Sequence, residues 1–202
     1  MNLGPAVELG RSFVLPEYQR QFAPLLLLWK GIATYLSRHP ETPVLFGAVS
    51  ISKEYSAASR ELIVRYFDSR KNEMADLVRP RRPFRSSWLR PWDCTAICQS
   101  LLDVDDLGNS VSDLEADSKG LPILLRQYAK LGGQFLAFNV DRQFSDVLDG
   151  LVLVDLRRTD STVLERYMGK EGLARFRQYH ASAAAPWMSG VSPASVSFSL
   201  PG

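Results

Sequence analysis

Glu8 and Arg11 stand three residues apart in an otherwise apolar opening segment (residues 6–15, AVELGRSFVL) and are the side chains best placed for chemistry. A carboxylate on a strand can face a ligand cleft, and a guanidinium offers a planar fork to a carboxylate or phosphate. Strict alternation sets Glu8 with Gly10, Ser12 and Val14, and Arg11 with Val7, Leu9, Phe13 and Leu15. The two charges then face apart, unless a bulge at Gly10 resets the register. Other clusters are weaker. Cys94 and Cys98, with only His39 and His180 elsewhere, do not fill a four-ligand zinc site. They read as reduced cysteines of a cytosolic protein. Asp103, Asp105 and Gly108 imitate a calcium loop, but Leu107 and Leu114 occupy positions that need oxygen ligands. No metal site is predicted.

The elements that must position Glu8 and Arg11 form a strand, turn, helix, strand unit over residues 6–51. Residues 6–15 read as a strand and residues 16–23 as a turn. A helix over residues 24–37 starts at Pro24 and carries Leu25, Leu28, Trp29, Ile32 and Leu36 as its buried stripe. Residues 43–51 (PVLFGAVSI) are the next strand. Ser52 or Ser56 caps a second helix running to about Phe67, with Leu62, Ile63 and Tyr66 inward. From Asp68 to about residue 120 the composition turns irregular and rich in Arg, Pro and Trp. Within that stretch Arg79, Arg81, Arg82 and Arg85 lie close together, followed by Trp88, Arg90 and Trp92. This segment reads either as irregular surface with its tryptophans packed down, or as a basic patch for an acidic protein or an anionic lipid surface.

Downstream, residues 120–130 (GLPILLRQYAK) read as a helix stopped by Gly132 and Gly133, and residues 134–140 and 150–156 as strands. Asn139, Asp141, Asp146 and Asp149 fall around their connection, with Asp149–Gly150 a turn dipeptide. Helices follow at residues 161–168, behind Asp160 as cap, and at residues 171–179. Residues 181–202, rich in Ala, Ser and Pro, read as a flexible tail. Strands alternating with helices give an α/β class with a small sheet.

With 202 residues, 24 Lys and Arg against 22 Asp and Glu, the chain suits one substantial domain and carries no global signal for nucleic acid. Residues 1–5 hold no basic leader. The longest apolar run, residues 22–29, is closed by Lys30, well short of the ~20 residues that span a bilayer. The expected location is cytoplasmic, with any membrane contact peripheral and on the inner face.

An ordered series of segments resembles a known family: ELGRS at residues 8–12 with PEY at 16–18, LLWKGI at 27–32, LFGAVSIS at 45–52 and YS at 55–56. It continues with RPRRPF at 79–84, GLPILLRQY at 120–128, and FNVD at 138–141 through FSD at 144–146 to VDL at 154–156. The chain is similar over about residues 7–180 to the hemolysin-like, ornithine-lipid-type N-acyltransferases, which are related to the GNAT fold. The resemblance implies a GNAT-like α/β domain over residues 1–180 that starts at the fold's fourth strand. It implies transfer of a long, often 3-hydroxylated acyl group from acyl carrier protein, or from acyl-CoA, to the α-amine of an amino acid such as ornithine. No further cofactor is implied. The product would be a lyso-aminolipid. Two departures matter. Phe22 and Pro24 stand where acetyl-CoA enzymes carry a Gly-x-Gly phosphate turn, and Leu62 stands where many relatives place a tyrosine acid.

On this resemblance Glu8 binds or deprotonates the amine, Arg11 binds an anion or orients Glu8, and backbone amides near Ser12 serve the oxyanion. Phe13, Val14, Tyr18, Arg20, Ser50, Ser52 and Tyr55 would line the donor groove, the last three reading equally as helix caps. Asp146 or Asp149 would hold a second amine of a basic acceptor, or simply form the turn. Arg79, Arg81, Arg82, Arg85, Lys119 and Arg126 would meet the carrier or the membrane. Two rival readings stand beside this one: a non-catalytic domain binding acyl chains or acyl carrier protein, and an acetyl-CoA-dependent N-acetyltransferase.

Overall fold

The computed structural model describes residues 4–10, 15–18, 22–71, 73–85 and 91–183. Its sheet has four strands, β1 (Ala6–Glu8), β2 (Val44–Ile51), β3 (Gln134–Asp141) and β4 (Val147–Asp155), in the order β1-β2-β4-β3. β1 and β2 are parallel, and the other pairs antiparallel. This is the mixed α/β architecture expected of a GNAT-like domain.

A parallel pair needs a crossover, and α1 (Phe22–Arg38) supplies it. α1 therefore carries the chain back to the start of β2. α2 (Ala57–Asp68) follows β2, with Ser56 as N-cap accepting from the Ser59 amide. Both helices start close to the residues that the sequence assigns to them.

Alternation sorts the sheet into two faces. Leu45, Val49, Ile51, Leu148, Val152 and Val154 are buried in the core, while Ala48 and Ser50 are exposed and Asp149 and Leu151 half-buried. Phe67 of α2 sits on the core side, 4.2 Å from the Phe135 ring. α1 also packs along α6 (Ser161–Ala183).

Residues 68–120 are more ordered than their composition suggests. They contain a 3-10 turn (Glu73–Leu77), α3 (Pro91–Ser100) and α4 (Val104–Leu114). α3 and α4 pack against α2, which is buried nearly all round, its Glu61 included. The apparent calcium loop is in fact the start of α4. The Asp103 carboxylate accepts the Asp105 and Asp106 amides as an N-cap, and Leu107 and Val111 are completely buried. Residues 82–84 do stay outside helices. They run along β3, with Val140 N–H donating to Arg82 O at 2.9 Å and Pro83 bridged to Asn139. Trp88 and Arg90 lie outside the described residues.

Other boundaries shift. β1 pairs only through Glu8, with one further rung from Leu9 N–H to Phe46 O at 2.7 Å, and residues 16–18 form a 3-10 turn. Asp149–Gly150 is not a turn: both residues lie inside β4, opposite Ser50 and Val49. α5 (Ile123–Lys130) is capped by Pro122. The two helices expected at residues 161–179 are both present: α6 is broken at Gly169, whose φ of 72° and ψ of 169° are not helical and suit glycine, and its second part continues through Ala183 into the segment read as tail. Residues 184–202 lie outside the described residues.

Candidate functional site

The site is built where β1 ends on β2, with Glu8, the last residue of β1, opposite Phe46. Ligands of open α/β sheets characteristically sit beyond the carboxyl ends of the strands. Here β1 crosses close over β2: a Cβ on Gly47 would sit 2.6 Å from Leu9 O, so only glycine allows that approach. Beyond Leu9 no further rung to β2 falls within the described residues.

Glu8, opposite Phe46, is exposed. Its Oε1 lies 3.1 Å from where a Cβ on Gly10 would be, so the carboxylate leans along the chain over that glycine. Arg11, Ser12, Phe13, Val14 and Arg20 fall outside the described residues. Tyr18 ends the 3-10 turn and is exposed, its N–H donating to Leu15 O.

Ser50 and Asp149 are brought together, the hydroxyl donating to Oδ1 at 2.5 Å. Burial pushes the Asp149 carboxyl above the ordinary aspartate range, and Asp141 adds repulsion against the opposing effect of Ser50. Ser50, Asp149 and Asn139 face one another across three strands. Glu8 is not part of this row: Phe46 and Ser50 are four residues apart, about 13 Å along the strand. Asp146 is exposed in the turn at residues 142–146, at φ 54°.

Four predicted residues serve the scaffold. Ser52 Oγ accepts from the Glu54 amide at 3.2 Å, and the Tyr55 hydroxyl donates to Gly120 O at 2.8 Å. Burial raises the Tyr55 phenol, partly offset by Lys119. Lys119 itself lies 3.4 Å from Glu115 and 3.5 Å from Asp117, and donates to Glu54 O at 3.1 Å. Arg126 presses on Gly108, where a Cβ would stand 2.6 Å from Nη2, with Asp105 3.8 Å away. Arg79, Arg81, Arg82 and Arg85 are exposed.

Sequence reasoning missed Glu115. This buried carboxylate accepts the Ser56 amide at 2.8 Å and occupies the N-terminus of α2. Burial pushes its pKa up, but hydrogen bonds from Ser59, the Ser56 amide and hydroxyl, and Lys119 outweigh this and lower it to about 2. An anion-binding helix end beside Tyr55 is thus already filled from within the chain. Among the described residues no group of three or more metal-ligating side chains converges, and no helix is long and apolar enough to cross a membrane.

The chain is similar to a glycine N(alpha)-acyltransferase of Bacteroides thetaiotaomicron, 25% identical over 160 residues. That match covers 75% of this chain and 47% of the relative, so the chain spans about half the length of the curated relative it matches. No protein-family model matches the chain, and no solved structure matches it.

Proposed function

We propose that this chain is part of an N-acyltransferase that moves a fatty acyl group from acyl carrier protein to the α-amine of an amino acid, giving a lyso-aminolipid. The observation that carries the reading is the match to a curated N-acyltransferase, on a sheet whose first strand ends in an exposed carboxylate. The ordered motifs described above support the ornithine-lipid type, whereas the relative's name specifies glycine. Both amino acids are therefore candidate acceptors.

The chemistry follows from the groups at hand. The amine nitrogen attacks the thioester carbonyl, a C–N bond forms, and the C–S bond breaks. The ammonium gives up one proton towards Glu8, directly or through water, before attack; the second leaves nitrogen as the C–N bond forms and passes through solvent to the departing thiolate. Leu62, buried in α2, supplies no proton, and a thiolate leaves readily without one. Arg11 would hold the acceptor carboxylate, and Asp149 with Ser50 would hold the second amine of an ornithine-like acceptor. Pro24 removes one amide from the first turn of α1, which favours a donor carrying a single phosphate over one needing a pyrophosphate cradle.

The test is lipid mass spectrometry of cells expressing the full-length protein, followed by assays with acyl carrier protein thioesters and with acetyl-CoA. A new lyso-aminolipid made from the carrier thioester is expected. Turnover with acetyl-CoA alone, or tight carrier binding without any acylated amine, would overturn the reading.

A further inference from the structure

We propose that the corner formed by residues 79–82 and the turn at residues 142–146 docks on an anionic lipid bilayer. The two segments meet through the edge of the sheet. Arg82 N–H donates to Asn139 Oδ1 at 2.8 Å and Val140 N–H to Arg82 O at 2.9 Å, while Phe84 N–H donates to Phe138 O at 3.3 Å. Continuing this antiparallel register sets Arg81 beside Asp141, the last residue of β3, so that Arg142 is the next residue along. The backbones of the two segments are about 5 Å apart. Arg79, Arg81, Arg82 and Arg142 are exposed, and so are two large apolar side chains of the same stretches, Phe144 (67% exposed) and Leu77 (80% exposed).

Phe144 is presented by a built turn. Its N–H and that of Gln143 donate to Asp141 Oδ1, at 3.2 and 2.8 Å, and its carbonyl accepts the Val147 amide at 3.2 Å. Five exposed arginines (Arg79, Arg81, Arg82, Arg85, Arg142) stand against Asp76, Asp141 and Asp146, and one oxygen of Asp141 is engaged by the turn. The corner therefore combines a net positive field with an apolar tip. Cations attract anionic headgroups, and an aromatic ring gains by sitting at headgroup depth. An acidic protein helix would use the arginines and leave the phenyl ring in water.

Placement agrees with this occupant. The turn lies beyond the Ile51–Leu148 pair, at the C-terminal end of β2 and next to the Ser50–Asp149 pair. A lipid-like product would emerge towards the membrane.

The experiment is cosedimentation of the full chain with phosphatidylcholine vesicles, with and without phosphatidylglycerol, at low and raised salt. Binding is expected only when phosphatidylglycerol is present, and is expected to weaken with salt. Arg81→Glu with Arg82→Glu should weaken it by more than about tenfold. Phe144→Ser should weaken it by about threefold or more, both variants keeping the wild-type circular dichroism and melting point. Equal binding to neutral and anionic vesicles would overturn the proposal, as would unchanged binding by the double variant. So would capture of acyl carrier protein that depends on these arginines while vesicles are ignored. Should the double variant misfold, the salt and lipid comparisons on the wild-type chain still decide. No arm reads acyl transfer, so this result and the proposed reaction fail separately.

Discussion

Asp149 and Glu115 are both shielded carboxyls, and their surroundings drive them in opposite directions. Burial raises Asp149, Asp141 reinforces the shift, and one hydroxyl from Ser50 does not reverse it. A carboxyl raised on folding contributes stability below its unfolded pKa and loses it as pH rises through the folded value. Asp149→Asn should therefore raise the neutral-pH Tm by about 1–3 °C, an advantage that fades in acid near the ordinary aspartate value. Thermal scans across pH check this. If Asp149 holds a second amine, the same variant loses ornithine as acceptor while keeping glycine. Glu115 is lowered to about 2, so its stabilisation is present above its ordinary pKa and lost as pH falls through about 2. Glu115→Gln should cost on the order of 2 kcal/mol at neutral pH in urea unfolding, with the gap to wild type closing in strong acid. Glu8→Gln should lower turnover by about 10²-fold or more and move Tm by less than about 1 °C, because the side chain is exposed. Normal turnover in that variant would dismiss the assigned role. Glu8 was legible as a lone carboxylate in an apolar run. Glu115 was not, since the Ser56 amide it receives is 59 residues away and no local pattern links them.

At the scale of elements, hydrophobic spacing located α1, β2, α2, β3 and β4 to within a few residues, because each turns an apolar face into the core. It failed where charge obscured that face. α4 reads as an acidic loop until Leu107 and Val111 are found buried against the rest of the core. The extent of β1 was hidden for another reason: residues 6–15 have strand composition throughout, but pairing depends on how closely the backbone approaches β2. The Leu9 carbonyl above Gly47 decides that approach. Gly47→Ala must displace β1 or bend β2, since the clash is with backbone and no side chain can rotate away. The expected cost is about 1–3 kcal/mol in urea unfolding, accompanied by loss of acyl transfer. Gly10→Ala is the control. Its Cβ would meet only the end of the Glu8 side chain, so stability should hold while turnover falls. A Gly47→Ala protein as stable and active as wild type would mean that β1 is not held in this position.

Across the whole molecule, α/β class and a small sheet were readable from alternation, whereas strand order was not, because pairing partners are set by packing far along the chain. The observed order puts β4 between β2 and β3, bonded on both sides over nearly its whole length, while three-residue β1 is bonded on one side among the described residues. Stability is therefore unevenly spread. Amides that open only with the global transition belong in β4, and those of β1 should open locally at far lower cost. Hydrogen exchange read by mass spectrometry should find slow exchange over residues 147–155 and fast exchange over residues 4–10. A strand that opens easily along the N-terminal half of β2, where it pairs with Val44–Phe46, is where a donor could enter between the two. A non-hydrolysable acyl-pantetheine amide should then protect residues 4–10 and the first turns of α1 and leave β3 and β4 unchanged. Protection confined to β3, β4 or α5 would move the donor site away from β1 and take the proposed role of Glu8 with it.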